Sequence, residues 1–272
     1  MHSDFRRTIS DERQLVYDAE HGAVDRMWPT TIGDAISATT VPASGATTSA
    51  LDSASSIVSA YFARLLSVLE DHAEQLSREI IFQGREGLTA TRIDDLVEPH
   101  ANELLDYASE PIYGAGFIAT VDLLADAPSH LAWWQGADRR KLVFPPRSVK
   151  QGIDYRELEW FRIPSLTGNS HVAGPYVDYL CSDEYTMTAA APVLVDGNFV
   201  GVAGLDVLIE TIERRLTPPL RALGFPVLLV NGVNRVLVST DPRLSPGDVL
   251  RHQPVLDRRR CDAVDLEIVV LH

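Results

Sequence analysis

Cysteine is scarce in this sequence. Cys181 and Cys261 are the two among 272 residues, too few for a disulfide framework standing in for a hydrophobic core. Long apolar runs are missing as well: no stretch of 18 or more residues is both apolar and uncharged, so no segment reads as a membrane-spanning helix. The opening MHSDFRRTISDERQ has no apolar centre of the kind a secretory signal carries, and the expected location is cytoplasmic. Positive charge is the third shortage. Lys and Arg number 24 against 38 Asp and Glu, for a formal net charge of -14, and the basic clusters RRLTPPLR and DRRR are short and far apart. Such a surface repels phosphates, so nucleic acid is not an expected partner. Enzyme signatures are lacking too: there is no GxSxG elbow and no HExxH helix. GVAGLD is glycine-rich but sits in a strand-like run with no helix start directly after it, unlike a phosphate loop. His171, Cys181, Asp183 and Glu184 offer metal-ligand atoms at a spacing that matches no zinc pattern. The expectation is a binding module, not an enzyme, with neither cofactor nor metal.

What the sequence does have is enough apolar residue, 45%, to bury one substantial core or two small ones. Residues 1–50 hold the tract TTIGDAISATTVPASGATTSA, whose few large apolar groups do not offset the entropy of ordering it, so a loose arm is expected. From Leu51 the pattern changes. Val58, Phe62, Leu65, Leu69, His72 and Leu76 recur at steps of four and three, the stripe of a long helix. That spacing suits a helix lying on its own sheet and equally one pairing with its copy in a homodimer. A second helix is expected from about Thr91 to Tyr107, opened by TATRIDD with acids in its first turn.

After PIYGAG the period shortens. GFIATVDLL, HLAWWQG and KLVFPP read as short strands cut by Gly, Pro and Asp. SVKQGIDYRELEWFRIP reads as a short helix or loop ended by Pro164. AGPYVDYLC, YTMTAAAPVLV and NFVGVAGLDVLI then form a meander, the last two joined by a DG turn pair. IETIERRLTPPLRALG is helical until its Pro pair breaks it; FPVLLVNGVNRVLVST is a hairpin and AVDLEIVVLH a last strand. Helices first and strands later, without βαβ alternation, define an α+β fold with an antiparallel sheet.

Two aspartates stand in this meander where apolar residues would be expected. Residues two apart on a strand share a face, so Tyr176 and Asp178 look one way, and Val202, Gly204 and Asp206 share a face of their strand. Two buried carboxylates side by side repel, and a cation between them removes the conflict. An aromatic such as Tyr176 adds cation–π attraction of roughly 0.5 to 2 kcal/mol. That arrangement suits an ammonium group. The ordinary alternative is that each Asp caps a turn or pairs with a surface Lys. Of the adjacent Trp133 and Trp134, strand alternation sends one to the core and leaves the other for a pocket or a contact.

IDYRELEWF, GPYVDY and AAAPVLVDGNFVGVAGLDV, taken in that order over Ile153 to Val207, resemble the Cache (PAS-like, PDC) sensor domains. The resemblance implies a PAS-like antiparallel sheet with a long N-terminal helix, flanking helices and a small-molecule pocket above the sheet. It divides the chain into an arm over 1–50, a ligand-binding domain over 51–215 and an abbreviated second sheet unit over 216–272. In the amino-acid-sensing members a Tyr and two Asp hold the ligand amine, and these match Tyr176, Asp178 and Asp206. Trp160 matches the family Trp. The carboxylate side departs from the pattern: Leu158 replaces an Arg, Phe161 a Tyr and Ile153 another Tyr, and Leu cannot imitate a bidentate guanidinium. The resemblance therefore implies a ligand site of Trp160, Phe161, Tyr176, Asp178 and Asp206 that takes a small amine. Arg156 or Arg162 would have to supply a carboxylate clamp for an amino acid, and a structural dimerisation module without ligand is the rival reading. A sensor without an output segment calls for a homodimer or a separate output protein as partner.

Overall fold

The computed structural model describes residues 45–84, 87–121, 123–143, 154–178 and 184–272. The arm up to residue 44, Ile153, Cys181 and Asp183 lie outside the described residues. Helix α1 runs Gly45–Gln83, about 58 Å at 1.5 Å per residue. It takes in residues 45–50 of the tract expected to be loose, and it stops where Gly84 adopts a left-handed φ of 77°. Its stripe settles the choice that the spacing left open. Val58, Phe62, Leu65, Leu69 and Leu76 are each 2% exposed or less and share one core cluster with the chain's own sheet residues Ala189, Ala191, Val193 and Leu205. These side chains are therefore not available to a second copy.

Helix α2, Ala90–Leu105, is capped by Thr89, whose Oγ1 accepts from the Arg92 amide at 3.2 Å. The expected first-turn acids lie beyond that turn. Asp94 instead holds His130, at 2.8 Å, and Lys141, tying α2 to the sheet.

The first sheet contains β1 (Gly114–Ala119), β2 (Leu131–Gln135), β3 (Arg140–Lys141), β4 (His171–Val177), β5 (Tyr185–Val195) and β6 (Asn198–Leu208). It is antiparallel throughout, in the order β3-β2-β1-β6-β5-β4. One face lies under α1 and α2 and carries Phe117, Trp134, Leu205 and Val207. The other, with Ile118, Trp133, Ala190 and Val202, is covered by a 3-10 turn (Tyr155–Glu157) and helix α3 (Glu159–Thr167) through Trp160 and Phe161. Trp133 and Trp134 thus part to opposite faces, as adjacent strand residues must. Helix α3 passes through Pro164, which was expected to end it. In so short a helix the proline forfeits a single backbone bond, and the end comes at Gly168, whose amide donates to the Pro164 carbonyl at 2.9 Å.

Helix α4, Ile209–Arg221, follows β6 directly. Its Pro218–Pro219 pair does not break it, because proline's fixed φ is itself helical and the pair sits in the last turn before Ala222. Buried Glu110 receives Arg64 of α1 at 2.8 Å and Arg215 of α4 at 3.7 Å, joining the two helices.

The second sheet, β7 (Leu228–Asn231), β8 (Val236–Ser239), β9 (Val255–Arg260) and β10 (Leu266–Leu271), has the order β8-β7-β10-β9. The N-terminal half of α1 docks on it: Ser55 Oγ donates to the Arg260 carbonyl at 2.7 Å, and Asp52 pairs with Arg259 at 2.9 Å. The architecture is α+β, two antiparallel sheets bridged by one long helix. Among the described residues no helix is long and apolar enough to cross a membrane.

Candidate functional site

The meander β4-β5-β6 brings the site together on the face covered by α3. A register shift between Ala173 and Tyr176 inserts one extra residue into β4, at Gly174, whose φ of 113° suits glycine. Without it, Tyr176 would point to the α1 face; with it, Tyr176 and then Asp178 look toward α3. Asp178 follows the end of β4, its amide donating to the Glu184 carbonyl at 2.8 Å. On β6, Asp206 stands opposite Thr188 of β5 on one side and Gly114 of β1 on the other.

A relay of hydroxyls links these groups. Thr188 Oγ1 donates to Asp206 Oδ1 at 2.5 Å, and with its one proton spent there it accepts the short hydrogen bond from the Tyr176 hydroxyl. Asp206 is 3% exposed and Asp178 6%. Burial, reinforced by the charge of Asp178, pushes the Asp206 carboxyl well above the ordinary carboxylate range, and the Thr188 hydrogen bond pulls it only partly back. The same field reaches Tyr113, whose phenol is raised first by burial and then by Glu184, Asp206 and Asp178.

Tyr176, Asp178, Thr188 and Asp206 form the polar end of a cavity, and Ile118, Leu131, Trp133 and Trp160 form its apolar walls. Among the described residues the lining contains no Lys, Arg or His. The free space is about 20 Å³, room for one water-sized group. Trp133 lies across the strands because glycine leaves space beneath it. A Cβ on Gly114 would sit 2.7 Å from the indole Nε1, and one on Gly204 would sit 3.2 Å from the ring. The Trp133 Nε1 donor is buried with no hydrogen-bond partner among the described residues, an unusual state for an indole N–H. Gly114→Ala is expected to push the indole off the sheet, shift its fluorescence and lower stability by about 1 to 3 kcal/mol. An unchanged emission spectrum would contradict this placement.

Of the five residues expected in the site, Trp160, Tyr176, Asp178 and Asp206 surround this cavity. Phe161 does not. It packs edge-on against Trp160, Tyr155 and Phe199, behind the wall. Arg156 is held by its near neighbour Asp154 through Nε at 2.8 Å and Nη2 at 2.6 Å, and neither Arg156 nor Arg162 is among the lining residues. His171 pairs with Glu159 at 2.7 Å. Thr188, Ile118 and Leu131 were not anticipated, and Trp133 was one of two open possibilities.

Residues 140–214, which include most of this site, match the family described as methyl-accepting chemotaxis protein-like, first PDC sensor domain. Solved structures agree with that match. The ligand-binding domain of the Campylobacter jejuni chemoreceptor Tlp3, in complex with L-valine, superposes with a TM-score of 0.60 at 13% identity, covering 83% of this chain and 90% of that one. The ligand-binding domain of the Pseudomonas fluorescens chemoreceptor CtaA, also with L-valine, gives 0.53 at 14% identity over 82% and 94%. A structure named methyl-accepting chemotaxis protein X gives 0.56 at 15% identity over 84% and 97%. Together with the family match, these similarities show that the chain has the PAS-like fold of the PDC (Cache) sensor domains.

Proposed function

We propose that this chain is a ligand-binding sensor module that recognises a small primary ammonium through Asp178, Asp206 and Tyr176 and passes the signal to a partner protein. The carrying observation is the convergence of two almost fully buried carboxylates, with Tyr176 and Trp160, on one cavity. An ammonium there meets two carboxylates and the faces of Trp160 and Tyr176, the two interactions that stabilise a desolvated cation. The space of about 20 Å³ suits the ammonium head alone, and an alkyl tail needs further room at the apolar wall. A whole amino acid requires the walls to part.

A second reading is an α-amino acid as ligand, and one observation favours it. The Nε1 donor of the cavity-lining Trp133, which has no partner among the described residues, would take a carboxylate oxygen in place of the guanidinium that Leu158 does not supply. The relatives solved with L-valine add weight to this reading.

Thermal shift and calorimetry against short alkylamines, α-amino acids and organic acids separate the readings. A ligand at 100 times its dissociation constant adds about 2.7 kcal/mol to folding stability, a rise of roughly 5 to 10 °C for a chain of this size. Amines are expected to give this rise and carboxylic acids none. Stabilisation by amino acids alone selects the second reading, and stabilisation by acids but not by amines overturns both.

A further inference from the structure

We infer that α1 and α2 together form a transition-metal site, with His72 and His100 as imidazole ligands, Glu103 as carboxylate ligand and Zn²⁺ the best-matched ion. It lies apart from the cavity above the sheet and does not depend on the reading of that cavity. One ligand atom from each of the three residues lies within 4.8 Å of the other two. The spacing within the set follows from the helices: His100 and Glu103 are three apart on α2 and so share a face, and His72 meets them from α1.

The distances suit one ion. His72 Nδ1 and His100 Nδ1 are 3.2 Å apart; two nitrogens each about 2.05 Å from a common zinc subtend an angle of about 103° at that separation, close to tetrahedral. Glu103 Oε2 is 3.9 Å from His72 Nε2, the nitrogen that does not face His100, and its side chain is 72% exposed, so it is free to swing onto an ion held between the two Nδ1 atoms. A fourth, solvent-facing position is left for water.

The proton arrangement points the same way. His100 Nε2 faces a Glu79 carboxylate oxygen at 3.2 Å, which holds the ring proton on that nitrogen and leaves the Nδ1 lone pair directed at His72. A carboxylate gripping the far N–H of an imidazole is the usual outer-shell support of a metal-bound histidine. In the metal-free protein a single proton between the two Nδ1 atoms keeps their lone pairs from opposing each other; a cation in the same place accepts both. Two imidazoles and one carboxylate favour first-row ions such as Zn²⁺ over Mg²⁺ or Ca²⁺. Both rings are close to nine-tenths buried, with side-chain exposures of 10% and 12%, so ion binding fixes α2 against the long helix.

The test is calorimetric titration of the full chain, stripped with chelator, using Zn²⁺ alone, with Mg²⁺ and Ca²⁺ as comparators. One Zn²⁺ per chain, a raised melting temperature and no response to the comparators at equal concentration are expected. Glu103→Gln changes an exposed side chain and leaves the fold intact, and is expected to weaken Zn²⁺ binding at least tenfold. Glu79→Gln is expected to weaken it about 10- to 100-fold. Co²⁺ substitution should give the visible absorption of a four-coordinate nitrogen and oxygen site, lost in the double variant His72→Gln/His100→Gln. Unchanged Zn²⁺ affinity in Glu103→Gln and in that double variant would place the ion elsewhere and overturn the assignment, as would the absence of binding to the parent chain at 100-fold molar excess of Zn²⁺.

Discussion

Asp178→Asn and Asp206→Asn are each expected to weaken binding of a short primary amine by about 2 to 5 kcal/mol, roughly 30-fold to several thousand-fold. Each change removes a buried charge-assisted hydrogen bond and leaves the ammonium with a single carboxylate in a largely buried site. Side-chain shape is conserved, so the fold should persist, and calorimetry reads the loss directly. Asp206→Asn should do something further to the ligand-free protein. The Asp206 carboxyl is strained by burial and by its neighbour, so its neutral replacement stabilises the empty domain at pH values where the parent is ionised. If both Asn variants bind the amine as tightly as the parent does, the aspartates are structural and the amine reading fails, whatever the fold.

The pH dependence follows from the same carboxyl. Its folded-state pKa is raised above the unfolded value, so the folded chain holds that proton more tightly. The associated stability is complete below the ordinary Asp range and is lost as pH climbs through the raised value. An ammonium competes with that proton for the same oxygens. Amine affinity is therefore expected to climb with pH, by at most tenfold per unit, and to level off once Asp206 is ionised in the empty protein. Calorimetry in buffers of different ionisation heat should register proton release on the rising limb. A flat affinity profile across the acidic range would show that Asp206 does not meet the cation.

Strand alternation and the order of motifs made much of this readable in advance: the α+β class, the meander, and the common face of Tyr176, Asp178 and Asp206. The parts that were not readable turn on single-residue slips. A two-residue DG turn at Asp196–Gly197 pairs Val195 with Asn198, and continued without interruption that register sets Met187 opposite Asp206. The bulge between Val193 and Leu194 moves it by one and delivers Thr188 instead. The extra residue is Val200 of β6, next to Gly201 with its φ of 153°; that glycine was not read as a bulge, and so the hydroxyl relay was missed. Trp133 escaped for a related reason. Alternation separates it from Trp134 but does not say which face holds the site, and the clue lay in the space over Gly114 and Gly204, which are distant in sequence and adjacent only across the β1–β6 ladder. Phe161 was expected in the site because it stands where the family has a Tyr; successive residues on a helix point about 100° apart, enough to place Trp160 in the wall and Phe161 behind it. The prolines at 164, 218 and 219 were read as breaks because their cost was counted without their position near helix ends.

Leu69→Asp is expected to destabilise the chain by at least about 4 kcal/mol and to do so at every protein concentration. Leu69 is fully buried on the inner stripe of α1, in one cluster with the sheet residues it covers. Loss of the leucine alone costs about 2 to 5 kcal/mol through transfer and cavity terms, and the carboxylate put in its place has to be desolvated or protonated. Glu70→Ala, one residue along on the exposed side of the same helix, should change stability by no more than about 0.5 kcal/mol. Urea denaturation of both variants at two protein concentrations a hundredfold apart distinguishes intramolecular packing from self-association. Were the stripe a contact between two copies, the parent's midpoint would rise with concentration and Leu69→Asp would yield a folded monomer. Packing within the chain requires instead a concentration-independent midpoint for the parent and a variant that unfolds early at both concentrations, because the surface that α1 covers belongs to its own sheet.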